Sequence, residues 1–443
     1  MPDDHKLPPA LIDLTKVFLK IGFVSFGGPA GQIALMHRIL VADLGWVEEE
    51  DYLRALNFCT LLPGPEAQQL ATYIGWKLHG WRGGLIAGLL FVIPGALIVL
   101  ALSALYAYAA RLDVVTAAFL GVKAALLSII VEALLRLGRR ALNDWARRAI
   151  ALAALLAIAV FQAPFPLVIA GAGLIGAALS HVGGWGATSV TDAPQRPIKR
   201  VIMSSGLTAV IWGAIWAAPL ILIALWLGPS HVLFDVGLFF SQLALVTFGG
   251  AYAVLTYMAQ EAVTTHGWLG PREMVDGLGL AETTPGPLIL VTEFVGFLAA
   301  FRAPAPFTPL VAGLLGALVA LWTTFAPCFL WIFTTAPFVE RLSTNLRLQA
   351  ALAAITAAVV GVIANLTAWF AAHVLFTRFV PLQAPLIRLS LPDPTALNLP
   401  VAGLALFGAL LLFRFKAGVL GTLGACASAA VILSGLRGVG GLW

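Results

Sequence analysis

Residues 25–28, Ser-Phe-Gly-Gly, return 222 residues later as Thr-Phe-Gly-Gly at 247–250. The same spacing maps Pro-Gly-Pro at 63–65 onto Pro-Gly-Pro at 285–287. We call the first pair the FGG motifs and the second pair the PGP motifs. Several matches at one offset are typical of an internal repeat, so we interpret the chain as two copies of one architecture.

The repeat divides the chain into three regions. The first copy is predicted over 1–183 and the second over 232–443, with a polar linker and one unpaired apolar segment at 184–231. A single unpaired membrane crossing between two copies reverses the second, so we expect inverted repeats. The arginines of 136–148 fit this topology on the cytoplasmic side, where Lys and Arg of short loops collect.

The composition excludes a water-soluble protein. Of 443 residues, 60% are hydrophobic and 11% are charged, whereas roughly 25% are charged in an ordinary soluble domain. The hydrophobic residues are sufficient for about a dozen spanning or half-spanning helices. Continuous apolar runs such as 85–105 favour helices over the alternating strands of a membrane barrel. The predicted fold is therefore an all-α integral membrane protein with two homologous inverted repeats and broken or re-entrant helices.

Both motifs interrupt apolar runs that are short on either side. Proline and glycine break helices, and unpaired backbone persists at membrane depth only where protein or a watery cavity satisfies it. The first-turn N–H groups of a returning half-helix carry about half a positive charge and suit an anion. Paired broken helices in two repeats also indicate a transporter's substrate site. Tight turns between ordinary packed helices are the alternative reading.

At these residues the sequence resembles the chromate ion transporter family in its long-chain, two-domain form. That form has a tandem pair of membrane domains, each with an FGG motif followed some 35 residues later by a PGP motif, as here. The resemblance implies export of chromate, a tetrahedral dianion, and resistance to it, with sulfate as an isostructural competitor. We expect alternating access in the cytoplasmic (inner) membrane of a prokaryote.

The predicted substrate-binding residues are the two motif pairs with their hydroxyl neighbours, one glutamine and one lysine. They are Ser25, Phe26, Gly27, Gly28, Pro63, Gly64, Pro65, Gln68, Lys123, Thr247, Phe248, Gly249, Gly250, Pro285, Gly286 and Pro287.

Three of these side chains have alternative roles. Lys123 lies inside an apolar segment, where an ammonium group is costly, so it either complements an anion, pairs with another acid or snorkels to an interface. The hydroxyls of Ser25 and Thr247 either donate to an oxyanion or bond to a preceding carbonyl.

Other function classes have weaker support. Three distant cysteines without metal-ligand spacing predict neither a metal site nor a cofactor. The net charge of +5 is scattered over short loops, which argues against nucleic acid. Uptake of sulfate or another oxyanion is the alternative function. A membrane-embedded enzyme is a remote alternative, so we expect the protein to have no enzymatic activity. The expected partners are chromate, sulfate as a second anion and the lipid bilayer, and a homodimer stays open.

Overall fold

The computed structural model describes residues 9–26, 28–109, 113–180, 198–247, 251–338, 346–384 and 387–437. These residues are largely helical. Five helices in this part of the chain are long and apolar enough to cross a membrane: Glu66–Tyr108, Thr116–Arg139, Ser205–Trp226, Pro309–Phe338 and Leu346–Leu375. The prediction of an all-α membrane protein is confirmed at this level. The opposite orientation of the two copies and their boundaries stay predictions.

Helices up to residue 226 follow the predicted breaks. They are α1 (Leu11–Val24), α2 (Gly28–His37), α3 (Glu49–Cys59), α4 (Glu66–Ala109), α5 (Asp113–Ala141), α6 (Trp145–Ala159), α7 (Phe165–Leu179) and α8 (Ile198–Trp226). The FGG motif separates α1 from α2, and the PGP motif separates α3 from α4.

The later helices are broken at the corresponding places. They are α9 (Val232–Val246), α10 (Ala251–Gln260), α11 (Pro271–Thr283), α12 (Val291–Arg302), α13 (Pro309–Thr335), α14 (Leu346–Leu375), α15 (Leu399–Ala409) and α16 (Val419–Arg437). A 3-10 turn, Leu288–Leu290, leads from the second PGP motif into α12.

Backbone geometry repeats at the same offset as the sequence. A π-helical turn follows α2 at Arg38–Asp43 and another follows α10 at Glu261–Thr265. Two residues after the end of each turn lies a glycine of positive φ, Gly45 at 60° and Gly267 at 61°. Because these glycines are 222 residues apart, local structure and sequence repeat together.

The segments after the two PGP motifs fold back in the same way. Helix α4 has non-helical torsions at His79 and Gly80, so residues 66–78 form a short arm before the longer part of the helix. A Cβ on Gly75 of this arm would lie 2.3 Å from the Gly83 carbonyl oxygen. In the second copy a Cβ on Gly296 of α12 would lie 2.6 Å from the Gly316 carbonyl oxygen of α13. Each arm therefore packs glycine to glycine against the helix that follows it.

The Gly-x-x-x-Gly sequence at 84–88 is a site of close helix packing. A Cβ on Gly88 would lie 2.3 Å from Thr72 Oγ1, and one on Gly84 would lie 3.0 Å from the Thr72 carbonyl oxygen. The contact lies within the chain, between the arm and the helix that follows.

The chain divides into two compact units, and each draws on both copies. Unit 1 comprises residues 1–101, 187–251 and 284–349 and contains the described residues of all four motifs. Its core is built where α13 packs against α8, α9 and α12.

Unit 2 comprises residues 102–186, 252–283 and 350–443. Here α5 packs against α11, α15 and α16. Gly121 of α5 is in tight contact with Cys426 of α16, where an added Cβ would lie 2.2 Å from the carbonyl oxygen. Small residues thus let the helices of this unit approach closely.

A two-stranded antiparallel sheet was not predicted. Strands β1 (Phe379–Ala384) and β2 (Ile387–Pro392) pair with Phe379 opposite Pro392. Beyond the hairpin, Thr395 donates from its backbone N–H (2.9 Å) and its hydroxyl (2.6 Å) to Asp393 Oδ1. These bonds favour the carboxylate and lower the pKa of Asp393.

Candidate functional site

In unit 1 the second PGP motif meets the first FGG motif. The Gly286 N–H donates to the Ser25 carbonyl oxygen at 2.8 Å. Gln32 lies on α2 just beyond the FGG motif, and its Nε2 donates to the Gly286 carbonyl oxygen at 2.5 Å. A Cβ on Gly95 would lie 2.1 Å from the Pro285 carbonyl oxygen. We call Ser25, Gln32, Gly95 and Gly286 crossing one.

The first PGP motif meets the second FGG motif in the converse way. The Gly64 N–H donates to the Thr247 carbonyl oxygen at 2.7 Å. Gln69 Nε2 donates to the Pro63 carbonyl oxygen, also at 2.7 Å. Cys328 Sγ would lie 3.0 Å from a Cβ on Gly64. We call Gly64, Gln69, Thr247 and Cys328 crossing two.

Three of the four positions in each crossing are equivalent between the copies, at 25 and 247, 64 and 286, and 95 and 328. The glutamines are not, because positions 32 and 69 correspond to valines at 254 and 291. Gly95 and Cys328 follow the equivalent prolines of α4 and α13, Pro94 and Pro327, and each contacts the PGP motif of the other copy. The sequence predicted equivalence of the motifs, and the structure adds that each PGP motif is bonded to the FGG motif of the opposite copy.

The central glycine of each PGP motif is required by its backbone. Gly64 has φ of 123° and Gly286 has φ of 96°, a region that side-chain-bearing residues rarely adopt. This conformation directs the N–H of each glycine at a carbonyl of the opposite FGG motif. An alanine at either position would be strained whatever space surrounds it.

The crossings are buried and have spare polar groups. Ser25, Gln68 and Gln69 are fully buried, and Gln32 is 1% exposed. Among the described residues, Ser25 Oγ and the Oε1 atoms of the three glutamines have no hydrogen-bond partner. Such groups are costly to bury without a partner. The Ser25 hydroxyl can donate to a ligand, whereas the three amide oxygens can only accept a hydrogen bond, as from water.

The arm after the first PGP motif also has unused donors. Pro65 has no N–H, and the N–H groups of Ala67 and Gln68 have no acceptor among the described residues. The first N–H groups of a helix have no partner within it. This helix start therefore presents two N–H donors and the positive end of the helix dipole.

The other predicted site residues are placed as follows. Thr247 Oγ1 donates back to the Leu243 carbonyl at 2.6 Å, the ordinary alternative for this hydroxyl. Gln68 Nε2 donates to Thr72 Oγ1 at 3.1 Å. Phe26, Gly28, Pro63, Pro65, Pro285 and Pro287 lie in unit 1 with the crossings. Gly27, Phe248, Gly249 and Gly250 lie outside the described residues.

Lys123 lies in unit 2 and has an acidic partner. Its Nζ is 2.8 Å from Asp276 Oδ1, and the two side chains are 15% and 8% exposed. The Tyr106 hydroxyl donates to Asp276 Oδ2 at 2.8 Å. Of the roles predicted for Lys123, the structure shows pairing with an acid, so an anion at this lysine would compete with Asp276.

Three residues of this arrangement were missed from the predicted site. Gln32 and Gln69 hold the carbonyls of the PGP motifs, and Gly95 allows the second PGP motif to approach. A sequence signal existed for the glutamines, because each is an amide side chain four residues after a motif. No sequence signal marked Gly95, because a glycine after a helical proline occurs for many structural reasons.

Comparison with known proteins agrees with the motifs. A family model described as "Chromate transporter" matches residues 12–177 and 234–435. The chromate transport protein of Pseudomonas aeruginosa is 34% identical over 79% of this chain and 78% of its own length. The probable chromate transport protein of Synechococcus elongatus is 31% identical over 80% and 83%, and the chromate transport protein of Cupriavidus metallidurans is 29% identical over 93% and 90%.

No solved structure matches this chain. The resemblance predicted from the two motif pairs is confirmed by these relatives, which cover most of the chain.

Proposed function

Because this chain belongs to the chromate transporter family, we propose that it exports chromate across the cytoplasmic (inner) membrane by alternating access and so confers resistance. The relatives are named chromate transport proteins, which supports transport of this dianion over an enzymatic activity. The multi-pass character of the chain supports the same proposal.

The observation that carries the proposal is the reciprocal pair of backbone bonds, Gly64 to Thr247 and Gly286 to Ser25. A break that only turned the chain would be satisfied within its own copy. Here each PGP motif is bonded to the other copy, so a movement of the arm that follows it changes a contact between the two copies. Two equivalent arms that exchange these contacts would open the site to one side of the membrane at a time.

The anion's ligands in this proposal come from unit 1. The free N–H groups of Ala67 and Gln68 and the Ser25 hydroxyl are neutral donors. Neutral donors at a helix start bind a dianion without a buried cation that would slow its release. A role for Lys123 as an anion ligand stays a prediction, since Asp276 already neutralises it.

The membrane potential would drive export without a nucleotide. Moving one charge through 100 mV is worth about 2.3 kcal/mol, so a dianion gains about 4.6 kcal/mol on leaving an inside-negative cell. At 1.4 kcal/mol per tenfold, this sustains a gradient of roughly a thousandfold.

The test is chromate flux in proteoliposomes of the purified chain under an imposed voltage, with sulfate as competitor. Chromate flux that follows the voltage, with sulfate a weaker competitor, is expected. Preferential sulfate accumulation would favour an uptake transporter for sulfate instead. The variant Gly64→Ala should lose flux, whereas Gly213→Ala on α8, where an added Cβ meets nothing within 4 Å, should keep it.

A further inference from the structure

Glu293 is an unpaired carboxyl group buried in unit 1. It lies in the first turn of α12, six residues after the second PGP motif. Its side chain is 0% exposed, and neither carboxylate oxygen has a hydrogen-bond partner among the described residues. A carboxyl group in such a place needs an explanation, because burial without a partner is costly and a hydrocarbon side chain of similar size would avoid it.

No charge in the described surroundings compensates Glu293. Helix α13, which packs most extensively on α12, has Cys328 as its one ionisable side chain, and α9 has Asp235. On α12 itself the other charged residue is Arg302, nine residues away and about 13 Å along the helix axis. Among the described residues, no charged side chain forms a hydrogen bond or an ion pair with Glu293.

Two structural roles for Glu293 are not supported. A capping carboxylate would accept a bond from a first-turn N–H, but neither oxygen accepts one from the described chain. The side chain that links α12 to α13 is instead that of Thr292, whose Oγ1 lies 3.4 Å from Thr324 Oγ1. An ionised carboxylate without donors is strongly disfavoured in a buried place, so this conformation favours the neutral form of the group.

We propose that Glu293 is a proton-binding site of the transport cycle. This inference rests on the proposed function and deepens it. Glu293 takes one proton from water on the side where chromate binds, keeps it on a carboxylate oxygen while the arm after the second PGP motif is closed, and releases it to water on the side where chromate leaves. An anion at the crossings is repelled by an ionised Glu293, so proton and anion binding favour each other. One proton then accompanies each chromate dianion, and the net charge moved per cycle falls from two to one.

The test measures chromate and protons together. Purified full-length protein is reconstituted in proteoliposomes that hold a luminal pH dye, and chromate flux is started at alkaline pH, where chromate is fully ionised. The wild type should move about one proton per chromate, and its rate should fall with rising pH by up to about tenfold per unit, the limit for one linked proton. Glu293→Gln, which mimics the neutral acid, should carry chromate with a flat pH profile and no accompanying proton.

Glu132→Gln is the matched control, because it removes a carboxyl that pairs with Arg136 on α5. It should keep the wild-type pH profile and proton movement. If the wild type carries chromate without moving protons, the inference is overturned by that measurement alone, without any variant. A wild-type pH profile in Glu293→Gln overturns it as well. A wild type that carries no chromate refutes the proposed function itself, which keeps the two failures distinct.

Discussion

Replacing Gly95 by alanine should separate the second PGP motif from the helix that supports it. The new Cβ would lie 2.1 Å from the Pro285 carbonyl oxygen, and ordinary contact begins at 3.4 Å. The two backbones must therefore part by about 1.3 Å at a contact between backbone atoms, where no flexible side chain can give way. Overpacking of this kind costs about 1–3 kcal/mol, or about 5-fold to 150-fold in the population of the closed crossing.

The assay is initial chromate flux in proteoliposomes, with melting temperature in detergent measured on the same preparation. We expect flux to fall by at least fivefold and the melting temperature to fall. Gly213→Ala is the matched control, because it adds the same methyl group to α8 with nothing within 4 Å and gains up to about 1 kcal/mol in helix propensity. Wild-type flux and stability in Gly95→Ala would refute the close approach of the PGP motif to α4.

Three further substitutions test the crossings and the buried ion pair. Gly64→Ala should lose most chromate flux, because φ of 123° costs an alanine about 1–3 kcal/mol. Gln32→Glu should be as damaging in the same flux assay, because it sets a carboxylate against the Gly286 carbonyl oxygen in place of a donor. Asp276→Asn should lower thermal stability by about 3–5 kcal/mol by leaving Lys123 buried without a counter-charge, and Lys123→Met added to it should recover much of the loss.

Each of these predictions has a contradicting result. Normal flux in Gly64→Ala would mean that the PGP turn tolerates a side chain. Normal flux in Gln32→Glu would mean that its bond to the PGP motif is dispensable. Equal melting temperatures for Asp276→Asn and for the double variant that also carries Lys123→Met would mean that the buried ion pair is energetically neutral.

The helix breaks could be predicted because their causes are local. Proline and glycine at 63–65 and 285–287 end one helix and start the next whatever surrounds them. The offset of 222 likewise predicted that equivalent turns recur, as the glycines at 45 and 267 show. Local signals of this kind survive because tertiary packing rarely overrides two helix breakers in succession.

The crossings could not be predicted, because a repeat shows which positions are equivalent and not which ones touch. The bond from Gly64 to Thr247 joins residues far apart in sequence and depends on how all helices of unit 1 pack. The partner of Lys123 posed the same difficulty. Its burial implied a counter-charge, but nothing in the sequence selected Asp276.

The β-hairpin could have been found. Its second strand, Ile387–Pro392, reads Ile-Arg-Leu-Ser-Leu-Pro, and this alternation of apolar and polar residues is typical of a strand with one buried face. It was missed because the composition of the whole chain favoured helices. The strand signal covers only six residues.

The most direct test of the account is the position of bound chromate, found from the anomalous scattering of chromium in crystals of the intact chain soaked in chromate. We predict a peak in unit 1 within hydrogen-bond distance of the free N–H groups of Ala67 or Gln68, beside the crossings. A chromium peak away from both motif pairs, with the crossings unchanged, would contradict the account.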